Sequence, residues 1–314
     1  MIKKAIIYFV AITLCLYAIR YLHYKGLLMQ QLGYYAKYKT AFLKKNSYSV
    51  LFLGSSRAEM HYNTKQFDSL TKQTSFNLSL SGATPPVAFA ALKAYLLNSK
   101  APKYLFYEVD YHFLKYNAIE IKEFNNYFPF LSNTVLRNEF NKIDSRINHF
   151  YYNPYYSFPY TGLKNISTSL HGWFAVPNAT DNLYYNGFIK LNNFKSLGYI
   201  PITPYYAFVS RSNRNYLDSI IQLCKKNNTT IALVSSPIFA GSKLDVANKP
   251  EVIRHINYIA KINSIGYHDL SSLPFCNNRN LFIDHYHMNY KGAVKFTAYL
   301  SNLFNNNITL HSLK

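Results

Sequence analysis

The sequence predicts an α/β protein: a parallel sheet with helices on both faces, preceded by an N-terminal membrane helix and interrupted by an aromatic-rich insertion. Three observations predict it. Short apolar runs closed by turn residues alternate with longer helical patterns, as buried parallel strands joined by right-handed crossover helices do. The chain opens on an uninterrupted apolar run. The alternation then lapses between about residues 114 and 210, where Tyr and Asn crowd the sequence.

At the N-terminus Lys3 and Lys4 precede the apolar run Ala5–Ile19, and Arg20, Tyr21, His23, Tyr24 and Lys25 follow it. The run is short for a spanning helix, which wants about 20 residues, and its length also suits the core of a cleavable signal peptide. No small-x-small cleavage site follows it. Tyr21 and Tyr24 suit an interfacial aromatic belt, and snorkelling of Lys4 and Arg20 would extend the span. Residues 1–26 are therefore expected to be a transmembrane signal anchor, and residues 27–47 to hold a juxtamembrane helix at Leu27–Leu43. Basic residues flank the run almost equally, so charge alone does not set its orientation.

The domain proper is expected over residues 48–314. Tyr48–Leu53 is a compact apolar run ending in Gly54-Ser55-Ser56-Arg57, and reads as a first buried strand. Ser75–Leu78 reads as a second. Pro85–Leu97 reads as an amphipathic helix with Pro in its first turn. Tyr104–Val109 is a third strand. After the insertion, Asn213–Lys226 reads as helix, Thr230–Ser235 as strand, Pro250–Ile262 as helix, Tyr267–Leu270 as strand and Asn289–Leu303 as a closing helix. The insertion offers only short helical candidates such as Asn133–Phe140, and is expected to cover the active-site end of the sheet. Its runs Tyr151–Tyr156 and Tyr184–Gly187 either stack on sugar faces or pack the insertion onto the domain.

Composition narrows the function classes. Of the 314 residues 18% are aromatic, which long disordered tails are not. The net charge of +20 favours anionic partners, but no basic run exceeds two residues and no nucleic-acid motif is present, so a solvated Lys-rich surface accounts for it. The three cysteines show neither CxxC nor a His/Cys ligand spacing, so no structural zinc is expected.

Ligands bind doubly wound sheets at the carboxyl ends of the strands, so residues just after strands carry the chemistry. Four such places stand out. In Gly54-Ser55-Ser56 the glycine permits a sharp turn, and Ser56 then opens a helix where it can be a nucleophile or a plain cap. In Asn77-Leu-Ser79-Leu-Ser81-Gly82 the glycine N–H can donate to an oxyanion, or the stretch is an ordinary loop. In Asp284-His285-Tyr286-His287, read as opening the last helix, an Asp can orient a His three residues on as general base. His285 is a rival base whose side chain should point elsewhere. The fourth place is Glu108-Val-Asp110-Tyr-His112.

The order of these places resembles the SGNH/GDSL hydrolase superfamily over residues 48–109 and 213–303, which implies a flavodoxin-like three-layer fold. The resemblance implies Ser56 as nucleophile, with Ser55 where the family usually has Asp. It implies Asp284 and His287 as the rest of a triad, and Ser56 and Gly82 as oxyanion donors. The family's third block normally supplies an oxyanion Asn, absent here, and His112 is the residue that can donate in its place. The anchor and the Gly-Ser-Ser form resemble the membrane-anchored branch, which includes the D-alanyl-transfer protein of teichoic-acid modification and the alginate O-acetylation proteins. That branch implies a bacterial cytoplasmic membrane, a catalytic domain outside the cytoplasm, no cofactor, and a membrane-bound O-acyltransferase as partner. It also implies a cell-envelope glycan or anionic polymer as acceptor. The expectation is a serine-dependent ester hydrolase or O-acyltransferase. The alternatives are a catalytically inactive binding or assembly module that has kept the fold, and a lipase secreted after signal cleavage.

Overall fold

The computed structural model describes residues 1–109, 121–161, 165–176, 184–191, 206–207, 210–240 and 246–306. Helix α1 (Ile2–Met29) takes in the whole apolar run and is long and apolar enough to cross a membrane. It continues past residue 26 and breaks at Gln30–Leu32. Helix α2 (Gly33–Leu43) is a separate element whose first residue sits at φ +78°. Residues 27–43 are thus parts of two helices, because Gln30 and Leu32 turn extended between them and Gly33, at a positive φ, restarts the ladder.

Next come β1 (Val50–Leu53), α3 (Ser56–His61) and α4 (Thr64–Thr71). Helix α4, which the sequence reading did not name, is capped by the Asn63 side chain accepting from the Gln66 N–H. Then follow β2 (Ser75–Asn77), α5 (Pro85–Asn98) and β3 (Tyr104–Glu108). The insertion holds a 3₁₀ stretch (Phe124–Phe130) and helices α6 (Thr134–Ile143), α7 (Ile147–Tyr152), α8 (Pro154–Thr161) and α9 (Ile166–Trp173). It also holds the hairpin β4 (Tyr184–Tyr185) and β5 (Phe188–Ile189). The chain closes through α10 (Arg211–Lys226), β6 (Thr230–Ser235), α11 (Lys249–Asn263), β7 (Gly266–Asp269) and α12 (Tyr290–Asn305).

The main sheet is parallel throughout, in the order β2-β1-β3-β6-β7. Taken among themselves, these five strands follow the 2-1-3-4-5 order of flavodoxin-like sheets, whose topological switch point lies between β1 and β3. Strand alternation divides the core in two. Leu51, Leu53, Leu105, Tyr107, Ile231 and Leu233 face one side, with α5, α10 and α11. Val50, Phe52, Phe106, Ala232 and Val234 face the other, against α4 and α12.

Helix α5 carries Pro85 in its first turn as expected, but it is buried nearly all round rather than amphipathic. The cause is cover from two distant segments, the juxtamembrane helix and the insertion. Helices α2 and α6 cover the side of α5 that the sheet does not. Helices α8 and α9 lie along α1 instead of over the sheet. Among the described residues the insertion reaches the carboxyl end of the sheet at several places, including Leu191 O, which accepts from the Tyr290 N–H at 2.7 Å at the start of α12. The hairpin caps the β2 edge, with the Asn77 N–H donating to Asn186 O at 2.8 Å, and Lys122 lies against Gly82.

Candidate active site

Three segments meet at the switch point. Strand β1 ends in Gly54, whose φ is +152°, and an added Cβ there would stand 2.7 Å from Glu108 Cβ and 2.8 Å from Ala58 Cβ. Only glycine lets the chain turn this close to β3, and the turn delivers Ser56 to the first position of α3. The loop after β2 is tied to that turn by the Leu80 N–H donating to Gly54 O at 3.1 Å. Gly82, at φ +69°, follows two residues further along that loop. Among the described residues, neither the Ser56 nor the Gly82 N–H has an acceptor, which leaves both free to donate. His112, the third expected oxyanion donor, lies outside the described residues, as does Asp110.

Ser56 Oγ lies 2.8 Å from His287 Nε2, although the two residues are 231 apart in the chain. His287 Nδ1 lies 2.7 Å from Asp284 Oδ2. Asp284 Oδ1 accepts from the backbone N–H of Tyr286 at 2.8 Å and of His287 at 2.7 Å. The expectation that Asp284 opens the last helix needs correcting. Helix α12 starts at Tyr290, capped by Asn289, and residues 284–287 form a tight turn before it. The turn is closed by the Ile283 N–H donating to His287 O at 2.8 Å. Carboxylate-to-backbone bonds of this kind compete with helix and favour turns. They also fix the imidazole: with Nδ1–H donating to Asp284, Nε2 faces Ser56 as an acceptor. Burial pushes the Asp284 carboxyl up, but the bonds and charge of His287 outweigh it and the net shift is downward, so the group is ionised at neutral pH. His285 stands with its ring beside Phe239 and Tyr286, and it is His287 that meets Ser56.

Beneath the triad lies a buried polar network that sequence reading missed. Arg57 turns inward, with its guanidinium 3.4 Å from Glu108 at the end of β3 and donating to Ser236 O after β6. Glu108 also accepts from Tyr62 Oη at 2.6 Å, from the Ser236 N–H at 3.0 Å and from Ser236 Oγ at 2.9 Å. His61 joins this network to the catalytic turn. Its Nε2 accepts from the Met288 N–H at 2.9 Å, so its proton must sit on Nδ1, which donates to Ser236 Oγ at 2.8 Å. The donation runs one way, from Met288 through His61 and Ser236 to Glu108. The network thereby locks the residue after His287 to the helix that bears Ser56. A signal was present in the sequence: Glu108 falls in a strand buried on both faces, where a charge needs a partner.

His61 is fully buried. Burial first, then the nearby Arg57 and His287, hold its pKa well below the ordinary value of 6.5. The unfolded chain therefore binds a proton in the window below about pH 6.5 that the folded chain refuses, so this contribution to stability is present above that window and lost as pH falls through it. We expect the melting temperature to fall between pH 7.5 and 5.5, and His61→Gln to flatten that slope. Equal slopes in thermal melts of the two proteins would refute the assignment.

A second buried pair stands behind the loop after β2. Lys37 on α2 donates to Glu59 Oε1 at 2.6 Å and to Ser79 O, and Ser81 Oγ donates to the other Glu59 oxygen. Burial lowers the Lys37 pKa, against the pull of Glu59. A cleft of about 230 Å³ opens between α2 and the hairpin, lined by Lys37, Tyr48, Phe76, Tyr185 and Asn186, and no triad residue lines it.

A protein-family model of unknown function matches residues 189–309, a stretch that holds Asp284 and His287 but not Ser56. No curated protein matches the chain.

Proposed function

We propose that this chain is a serine-dependent acyl-transfer enzyme of the SGNH/GDSL type, either an ester hydrolase or an O-acyltransferase. The observation that carries the reading is the unbroken relay Ser56–His287–Asp284, with contacts of 2.8 and 2.7 Å. His287 Nε2 takes the proton of Ser56 Oγ as that oxygen attacks an ester or thioester carbonyl. Asp284 holds the ring and stabilises the imidazolium. The N–H groups of Ser56 and Gly82 receive the charge on the tetrahedral oxygen. Collapse expels the leaving group, which takes the proton from His287, and leaves the acyl group on Ser56. Water or a glycan hydroxyl then gives its proton to His287 and attacks the acyl carbonyl, and His287 returns that proton to Ser56 Oγ as the acyl–oxygen bond breaks. Both acceptors use one set of residues, so esterase and transferase share this chemistry.

The membrane-anchored branch of that superfamily suggests the setting: a single-pass protein of the bacterial cytoplasmic membrane with its catalytic domain outside the cytoplasm. A membrane-bound O-acyltransferase is its proposed partner, and a cell-envelope glycan or anionic polymer its acceptor. The competing reading is a membrane-tethered assembly module without catalysis, and the preformed relay favours the enzyme over it. A fluorophosphonate probe separates them. Full-length protein in detergent is expected to gain one covalent adduct on Ser56, absent from Ser56→Ala. An unlabelled wild-type chain would favour the assembly module.

A further inference from the structure

We propose that helices α7–α9 form a lipid-facing clamp: they sink beside α1 into the leaflet nearest the catalytic domain, and their partner is the acyl-chain and glycerol region of the bilayer. The proposal rests on the reading of α1 as a membrane-spanning helix. Neither the triad nor the expected role of the insertion as an active-site cover calls for it.

Charge is the first observation. Residues 147–176 carry one formal charge, Lys164, in 30 positions, whereas a chain that is 15% charged would place four or five there. Side chains in hydrocarbon must be uncharged or paired, and water imposes no such limit.

Placement is the second. A ladder of contacts follows α1 through its apolar run. Tyr155 stacks on Phe9, with ring centroids 5.9 Å apart, and its hydroxyl lies 2.6 Å from Thr13 Oγ1. Tyr17 Oη donates to Tyr152 O at 2.9 Å, and Arg20 to Tyr151 O at 3.0 Å. Higher up, Trp173 Nε1 donates to Leu22 O at 3.0 Å and Ser169 Oγ to His23 O at 2.9 Å. At Gly26 the two backbones nearly touch, since a Cβ on Gly172 would fall 1.8 Å from Gly26 O. Small residues allow such close crossings between membrane helices. At about 1.5 Å per residue, the rungs from Phe9 to Arg20 span roughly 17 Å, over half of a hydrocarbon core of about 30 Å, and those from Leu22 to Gly26 stand above it. A bilayer that holds α1 from Lys4 to Arg20 must therefore also hold Tyr155.

The third observation is how the backbone is satisfied. Lipid supplies no hydrogen bonds, so a segment that enters it must meet its own needs. At the start of α8, Pro154 has no N–H to place. The N–H groups of Tyr155 and Tyr156 donate to Asn153 Oδ1 at 3.0 and 3.3 Å, and that of Ser157 to Asn153 O at 3.1 Å. After α9, Phe174 and Val176 donate to Leu170 O and His171 O.

The outward side of the clamp is apolar and aromatic. Tyr152, Tyr156, Tyr160, Ile166 and Leu170 are exposed, and Phe174 is 74% exposed. This surface runs on from the exposed apolar surface of α1, which makes one patch of both. A patch of this kind is a liability in water and ordinary in lipid. Trp173, with Lys25 Nζ 5.1 Å from its ring centroid, stands where interfacial belts place tryptophan.

Trp173 is the sole tryptophan, so its fluorescence reports one site with no substitution. The test uses full-length protein in phosphatidylcholine vesicles bearing spin labels at defined acyl depths. Trp173 emission is expected to fall at least twofold with a shallow label and less with a deep one. In the variant Trp173→Phe with Tyr155→Trp, the mid-chain label is expected to quench most. Carbonate extraction of the same vesicles reads the anchor separately. A chain that resists carbonate while wild-type Trp173 is quenched only by aqueous acrylamide would leave the anchor standing and overturn the clamp. Release of the full-length chain by carbonate would sink both.

Discussion

Ser56→Ala is expected to lower turnover of p-nitrophenyl acetate by roughly 10⁴–10⁶-fold, because it removes the atom that forms the acyl-enzyme. His287→Ala should cost about as much, since the hydroxyl it leaves is almost wholly neutral at pH 7. The double variant should be little worse than either, because residues that act as one unit are not additive. Asp284→Asn should cost less. It removes the charge that stabilises the imidazolium and favours the wrong tautomer, while the backbone bonds to its Oδ1 can survive. His285→Ala is the control, because its ring packs beside Phe239 and Ser56 is bonded to His287 instead, and it should change the rate little. Steady-state kinetics on the five proteins decide the matter. An inactive His285→Ala beside an active His287→Ala would show the base to be the other histidine, and an active Ser56→Ala would end the mechanism altogether.

Glu108→Ala should be the most damaging change away from the triad. The carboxylate is wholly buried and receives Tyr62, both donors of Ser236 and the Arg57 guanidinium. Removing one partner of a buried ion pair leaves the other desolvated, at a cost of about 3–5 kcal/mol. In a domain of this size that corresponds to a melting temperature lower by roughly 10 °C. Arg57→Met placed on Glu108→Gln should regain part of the loss, because it removes the charge and keeps an acceptor for Tyr62 and Ser236. A Glu108→Ala protein that melts within 2 °C of wild type, on the same scale of about 2–4 °C per kcal/mol, would show that the network adds little.

The elements that could be read from sequence were those with a strong period. The runs ending at Leu53, Glu108 and Ser235 are apolar because both faces of the sheet are covered, and runs of that kind are conspicuous. The Ser56 segment was legible because it follows such a run, and Asp284 and His287 because residue types that suit one reaction stand three apart. Three things were hidden. The fully buried face of α5 depends on α2 and α6, which come from distant sequence, so its own pattern could not foretell it. The turn that holds Asp284 reads locally like a helix start, and only the pairing of Ile283 with His287 decides against that. The roles of His61 and Ser236 arise from contacts across 175 residues, with no local signature.

Lys37 also moves the boundary of the domain. The juxtamembrane helix looks like a stalk, yet its ammonium holds Glu59 on α3 and the Ser79 carbonyl on the loop after β2. The true seam between tether and domain is therefore the break at Gln30–Leu32, not the stretch just before β1. A protease cutting at that break would leave the domain with its buried cation in place, still docked on α1 through α8 and α9. One cutting at residues 44–49 would sever α2 from the domain and leave the Glu59 carboxylate in the interior without that cation.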